Sequence, residues 1–143
     1  MKPLVTACVL LSTIVIANAE SLEEKKFWKS QRNYVDRELQ IAEKACGTKF
    51  SFDWVDPATL RAETEKSKHS PNGVCTNIIT TVASICREGK DEAETVKAKI
   101  TGFQCGHAAS RSLDLKGGKV VYLGNNTQPN FSDWAKPWLM KKL

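Results

Sequence analysis

Residues 71–105 read PNGVCTNIITTVASICREGKDEAETVKAKITGFQC, and the fold turns on this stretch. Val74, Ile78, Ile79, Val82 and Ile85 recur at helical spacing together with Cys75 and Cys86, and no charge falls between Val74 and Cys86. A helix apolar over so much of its circumference belongs in the middle of a domain. Ser70-Pro71-Asn72-Gly73 leads into it as a turn, and Arg87-Glu88-Gly89 ends it. Asp91 to Thr95 then suggests one more helical turn. Val96, Ala98 and Ile100 alternate with Lys97, Lys99 and Thr101, which predicts a strand running on to Cys105. Phe103 and Cys105 fall on the opposite parity, so a bulge at Gly102 is expected to return them to the core.

The cysteines tie this stretch to its neighbours. Cys75 and Cys86 sit about 16 Å apart along one helix axis. A disulfide needs Cα atoms within about 7 Å, so these two cannot bond to each other. The strand ending at Cys105 is expected to run back beside the helix start. That favours Cys75–Cys105 and Cys46–Cys86 over the other cross-pairing, each closing a loop of about 30 to 40 residues. No pair has the close Cys-x-x-Cys spacing of a zinc site, and Cys105-Gly106-His107 alone is a weak signal, so neither metal nor cofactor is expected.

Such a cysteine framework fits an oxidising compartment, and the chain begins with a matching leader. Lys2 supplies a short positive region, Leu4 to Ile16 is mostly apolar, and Ala17-Asn18-Ala19 is a small-x-small cleavage site. Cleavage after Ala19 is expected, leaving residues 20–143 as a single secreted or periplasmic domain. Val5-Thr6-Ala7-Cys8 has the form of a bacterial lipoprotein box, but too little apolar sequence precedes it. Cys8 is therefore removed with the leader. Loss of Lys2 takes the net charge from +5 to +4, a balance too mild to argue for nucleic acid.

Outward from the cysteine helix, Glu20 to Ala45 reads as a long helix. Ser21 and Glu24 form a capping box, Trp28, Val35, Leu39, Ala42 and Cys46 form the core stripe, and Gly47 is the stop. Lys25, Lys26, Lys29 and Arg32 crowd its first half around Phe27 and Trp28. Lys49 to Val55 alternates Phe50, Phe52 and Trp54 against Lys49, Ser51 and Asp53, a half-buried strand. Asp56-Pro57 opens a short exposed helix, with a mobile polar tail over residues 63–70. Arg111 to Leu115 and Lys119 to Leu123 flank Gly117-Gly118, a two-residue hairpin that sets Leu115 opposite Val120 and Leu113 opposite Tyr122. Ser132-Asp133 caps a final helix in which Phe131, Trp134, Trp138 and Leu139 share one side and dock on the sheet. The expected fold is a small disulfide-linked α+β domain. An antiparallel meander of three to four strands packs against a long N-terminal helix, a buried central helix and a short C-terminal helix.

Chemistry is sparse. His69 lies in a charged run and His107 in the loop after Cys105, and no nucleophile elbow, zinc-protease motif or phosphate loop is present. Asp53 and Asp56 read as strand surface and helix cap rather than a carboxylate pair. Asn125-Asn126-Thr127 and Asn130-Phe131-Ser132 both match the glycosylation acceptor. The expectation is a non-enzymatic binding or inhibitor-type protein with an extracellular or periplasmic protein partner. Trp134, Trp138, Lys136, Lys141 and His107 are its candidate contact residues. The alternatives are a cationic effector that meets anionic membranes through the Trp- and Lys-bearing tail, and a small hydrolase using carboxylates or His107.

Overall fold

The computed structural model describes residues 20–143, so the leader reading of residues 1–19 lies outside the described part. α1 (Leu22–Cys46) begins where the Ser21 hydroxyl accepts the Glu24 N–H at 3.1 Å, and ends at Gly47 with φ +65°. β1 (Ser51–Val55) and α2 (Pro57–Lys66) follow. α2 is capped by Asp56, whose carboxylate accepts the Thr59 N–H at 3.2 Å. The helix runs further than the polar sequence suggested. Leu60 and Thr64 are buried, and the Thr64 hydroxyl bonds the Leu60 carbonyl at 2.8 Å, so part of the expected mobile tail is packed helix.

α3 (Pro71–Cys86) is the hub. Val74, Ile78, Ile79, Val82 and Ile85 are at most 1% exposed, and the helix packs on α1, α4, α5 and the sheet. Its polar groups are accounted for: Asn72 donates its backbone N–H and its amide to Gln31 Oε1 of α1 at 3.1 and 2.6 Å, and the buried Thr81 hydroxyl bonds the Asn77 carbonyl at 2.8 Å. Two disulfides fix it in place. Cys86 joins Cys46 at the end of α1 and Cys75 joins Cys105 on the sheet, with Cα separations of 5.1 and 5.7 Å.

The segment expected to enter a strand at Val96 is instead helical, as α4 (Lys90–Lys99). Val96 and Ile100 are four apart, which fits a helix face as well as a strand face, and Ala93 extends the same face one turn back. Asp91 and Glu92 in its first turn and Lys97 and Lys99 in its last complement the helix dipole. β2 (Gly102–His107) therefore begins at Gly102 and needs no bulge. A side chain at Gly102 would place its Cβ 2.6 Å from the Ser51 carbonyl oxygen, so glycine lets β1 and β2 approach there.

The sheet is mixed, in the order β1-β2-β4-β3, not an antiparallel meander. β2 runs parallel to both β1 and β4 (Lys119–Gly124), and only β3 (Ser112–Lys116) and β4 pair antiparallel. The hairpin has the anticipated register, Leu113 opposite Tyr122 and Leu115 opposite Val120, around Gly117 and Gly118 at φ +54° and +78°. What the meander reading missed is which hairpin strand meets β2. β4 offers Val120 and Tyr122 for full burial, whereas β3 carries Ser112, Asp114 and Lys116 on its open face and suits an edge. α5 (Phe131–Lys142) buries Ala135 and Leu139 and docks chiefly on α3, reaching the sheet through Phe131 and Trp134 against Tyr122. Its cap is Asn130 in the left-handed region rather than Ser132-Asp133.

Among the described residues no helix is long and apolar enough to cross a membrane. Replacing Cys46 and Cys86 together by serine should lower the unfolding free energy by about 2–4 kcal/mol in urea titrations. An unchanged midpoint would show that α1 and α3 are held by packing alone.

Candidate binding surface

β1 is an edge strand, and α1 lies along its free side. Ser51 turns its N–H toward β2, bonding the Thr101 carbonyl at 3.1 Å, so the backbone groups of Phe50, Phe52 and Trp54 point away from the sheet. Glu43 accepts the Phe50 N–H at 3.1 Å, and Arg32 Nη1 donates to the Phe52 carbonyl at 2.9 Å. Asp36, 2.6 Å from Arg32 Nε, holds the guanidinium in place over the Phe52 ring. These two bonds occupy the Phe50 N–H and the Phe52 carbonyl of an edge that could otherwise recruit a foreign strand. They also set the direction of α1, which runs opposite to β1 and so brings its first turns to the strand's C-terminal end.

An aromatic cluster forms there. Trp28 of α1 lies 5.2 Å from Trp54 of β1 between ring centroids, Trp54 stands edge-on to Phe52 at 4.8 Å, and Phe27 stands edge-on to Trp28 at 5.2 Å. α2 adds Arg61, with its guanidinium 4.2 Å above the Phe27 ring. Glu65 takes the Arg61 Nε at 2.8 Å, and Glu24 takes Nη1 while accepting the Trp28 indole N–H at 2.8 Å. Phe27, Trp28, Trp54 and Arg61 are all partly exposed. Lys25, Lys26 and Lys29 are exposed at the start of α1, as are Glu20 and Glu23, and none of the five forms an ion pair among the described residues. Lys25 and Lys29 share the helix side of Arg32, the side that faces β1. The basic, aromatic start of α1 and the alternating aromatics of β1 were each legible in the sequence. Arg61, which joins them, was not, because nothing in the polar run of α2 marks it.

The residues singled out from sequence lie elsewhere. Trp134 is half-buried, with Arg111 4.4 Å above its ring, and Trp138 is half-buried beneath Lys142. Lys136 is paired with Glu88, and Lys141 is exposed. The α5 aromatics thus face protein on one side and are covered by cations on another. His107 is half-buried at the end of β2, in an open depression of about 350 Å³ that Glu63, Lys66, Asn125 and Thr127 also line. Lys66, 2.6 Å from Glu63, holds that carboxyl below its ordinary value, with a smaller contribution from His107. Asn125 works as a clamp between loops: its amide donates to the Ala109 carbonyl at 2.9 Å, and its Oδ1 accepts from the Thr127 N–H and hydroxyl at 3.1 and 2.6 Å. Asn130 is exposed at the start of α5, and the Ser132 hydroxyl faces Thr81 at 3.3 Å. Among the described residues no group of three or more His, Cys, Asp or Glu side chains is placed to hold a metal ion. Comparison with protein-family models, with curated proteins and with solved structures gives no match to this chain.

The edge bonds make a pH-dependent contribution. Burial alone would raise the Glu43 carboxyl, but its bonds to Lys49 and to the Phe50 N–H outweigh burial and hold it below the ordinary value of 4.5. A depressed folded pKa gives stability that is present above the unfolded value and lost as pH falls through the folded one. Glu43→Gln should therefore cost roughly 1 kcal/mol at neutral pH. The deficit should shrink in acid, below the ordinary carboxylate range, when urea unfolding is measured across pH. A deficit that does not change with pH would place the cost in packing rather than charge.

Proposed function

We propose that this chain is a small, non-enzymatic secreted or periplasmic binding protein of the inhibitor type. Its contact face is the aromatic cluster at the junction of α1, β1 and α2, and its partner is an extracellular or periplasmic protein. One observation carries the reading: Arg61 is fixed by Glu24 and Glu65 across the Phe27 ring, beside the partly exposed Trp28 and Trp54. Tryptophan and arginine dominate the energetic centres of protein interfaces, because they bury large area while losing little freedom when already held. Here the supporting frame is rigid, since α1 is tied by a disulfide to the buried α3 and by side-chain bonds to β1. The hydrolase alternative would rest on carboxylates or His107, and Glu63, which shares the depression with His107, is committed to Lys66.

A photo-crosslinking residue placed at the exposed Lys29 should give one discrete protein adduct in the compartment where the chain is found. The same residue at Lys116, on the opposite edge of the sheet, should give none. No adduct at position 29, or equal adducts at both positions, would overturn the reading.

A further inference from the structure

Independently of the binding face, we infer that the bend between α2 and α3 is a proteolytic processing site. A trypsin-type serine endopeptidase cuts the folded chain there, after Lys66 or Lys68, and leaves a two-chain protein. Glu65 to His69 is the longest uninterrupted run of exposed residues among the described ones, and both lysines lie inside it. Exposed bends of this kind are where folded domains are nicked. Such an endopeptidase takes several residues in extended form, so the segment must first leave its folded shape. The bonds it gives up lie at the surface, where water replaces them. They are the Ser67 N–H to the Glu63 carbonyl at 3.2 Å, the Lys68 N–H to Glu65 at 3.2 Å and the His69 N–H to Thr64 at 2.9 Å. Lys68 also stands at φ +57°, a left-handed conformation unfavourable to lysine, which extension relieves. Leu60 and Thr64 seat α2 before the bend, and Pro71 and Val74 are buried after it, so the opening stays local.

The other cations in the links between elements are held differently. Lys49 precedes the buried Phe50, whose N–H is bonded to Glu43. Arg87 and Lys90 lie in a link too short to extend without pulling on the disulfide-bonded Cys86. Arg111 covers Trp134 and bonds the Pro129 carbonyl, and Lys116 and Lys119 pair across the two-residue hairpin turn.

Hydrolysis adds one water across the peptide bond. The C–N bond breaks, a carboxylate forms on Lys66 or Lys68, and an amine forms on Ser67 or His69. Cys46 lies before the cut and Cys75, Cys86 and Cys105 lie after it, so the Cys46–Cys86 bond keeps the two pieces covalently joined. The packing of α1 on α3 is untouched.

Limited digestion of the oxidised full chain with trypsin tests this, read by mass spectrometry. Cuts at Lys25, Lys26 or Lys29 only trim the start of α1. The first cut that divides the domain should fall after Lys66 or Lys68. The product should be one species heavier by one water without reductant and two fragments after reduction, with the near-UV circular dichroism of the intact protein. The cutting rate should change less than twofold in urea well below the unfolding midpoint, as local opening requires. Lys66→Gln with Lys68→Gln should slow the cut at least tenfold in a chain that still unfolds at the same urea concentration. A first dividing cut at another link, undiminished cutting of the double variant, or a product that loses its near-UV signal would overturn the inference. So would a rate that climbs with urea in step with global unfolding.

Discussion

The burial of α3 is the constraint on which everything else depends. A helix with no charge from Val74 to Cys86 cannot lie on a surface, and its apolar side chains need cover on several sides at once. The rest of the chain is arranged to provide that cover: α1 along one flank, α4 and α5 on others, and the sheet behind. Full burial of each isoleucine or valine contributes about 1.5–3 kcal/mol relative to exposure. That is also why the polar groups of α3 must be satisfied locally. Thr81 bonds back to Asn77, and Asn72 is met by Gln31, a glutamine drawn into the interface for this purpose.

Committing α3 to the interior leaves the periphery as the surface that the other elements define. The sheet has two edges, and they are treated differently. β1 is covered by α1 through Glu43 and Arg32, while β3 is left open but charged. Asp114 holds Lys116 at 3.0 Å and also takes the Leu115 N–H at 2.8 Å, which blunts that edge. Because α1 runs opposite to β1, its basic first turns arrive where β1 ends and α2 begins. The aromatic–arginine face is thus a consequence of how the edge is covered, and the Cys46–Cys86 bond anchors the other end of the same helix.

Much of this was legible in residues 71–105 and in the capping and turn signals. The helix pitch that separates Cys75 from Cys86, the Ser21 cap, the Gly47 stop and the Gly117-Gly118 hairpin are all local rules, and local rules survive folding. Two features were not legible. Val96, Ala98 and Ile100 fit a short strand as well as a helix face, and the helix was chosen by packing of Val96 and Ile100 on the core. The parallel placement of β2 against β4 depends on which hairpin strand is apolar enough for the centre of the sheet, a comparison between strands rather than a property of either. The aromatic–arginine face was hidden for a related reason. Phe27, Trp28, Trp54 and Arg61 come from three separate elements, and only tertiary structure joins them. The tail residues looked more conspicuous because they fall within one short segment.

Native-state hydrogen exchange tests most directly whether α3 is the spine. The amides of Ile78, Ile79 and Val82 should exchange only through global unfolding, with an opening free energy equal to that from urea, while the β3–β4 hairpin opens earlier. Exchange of the α3 amides ahead of the hairpin would contradict a fold organised around that helix.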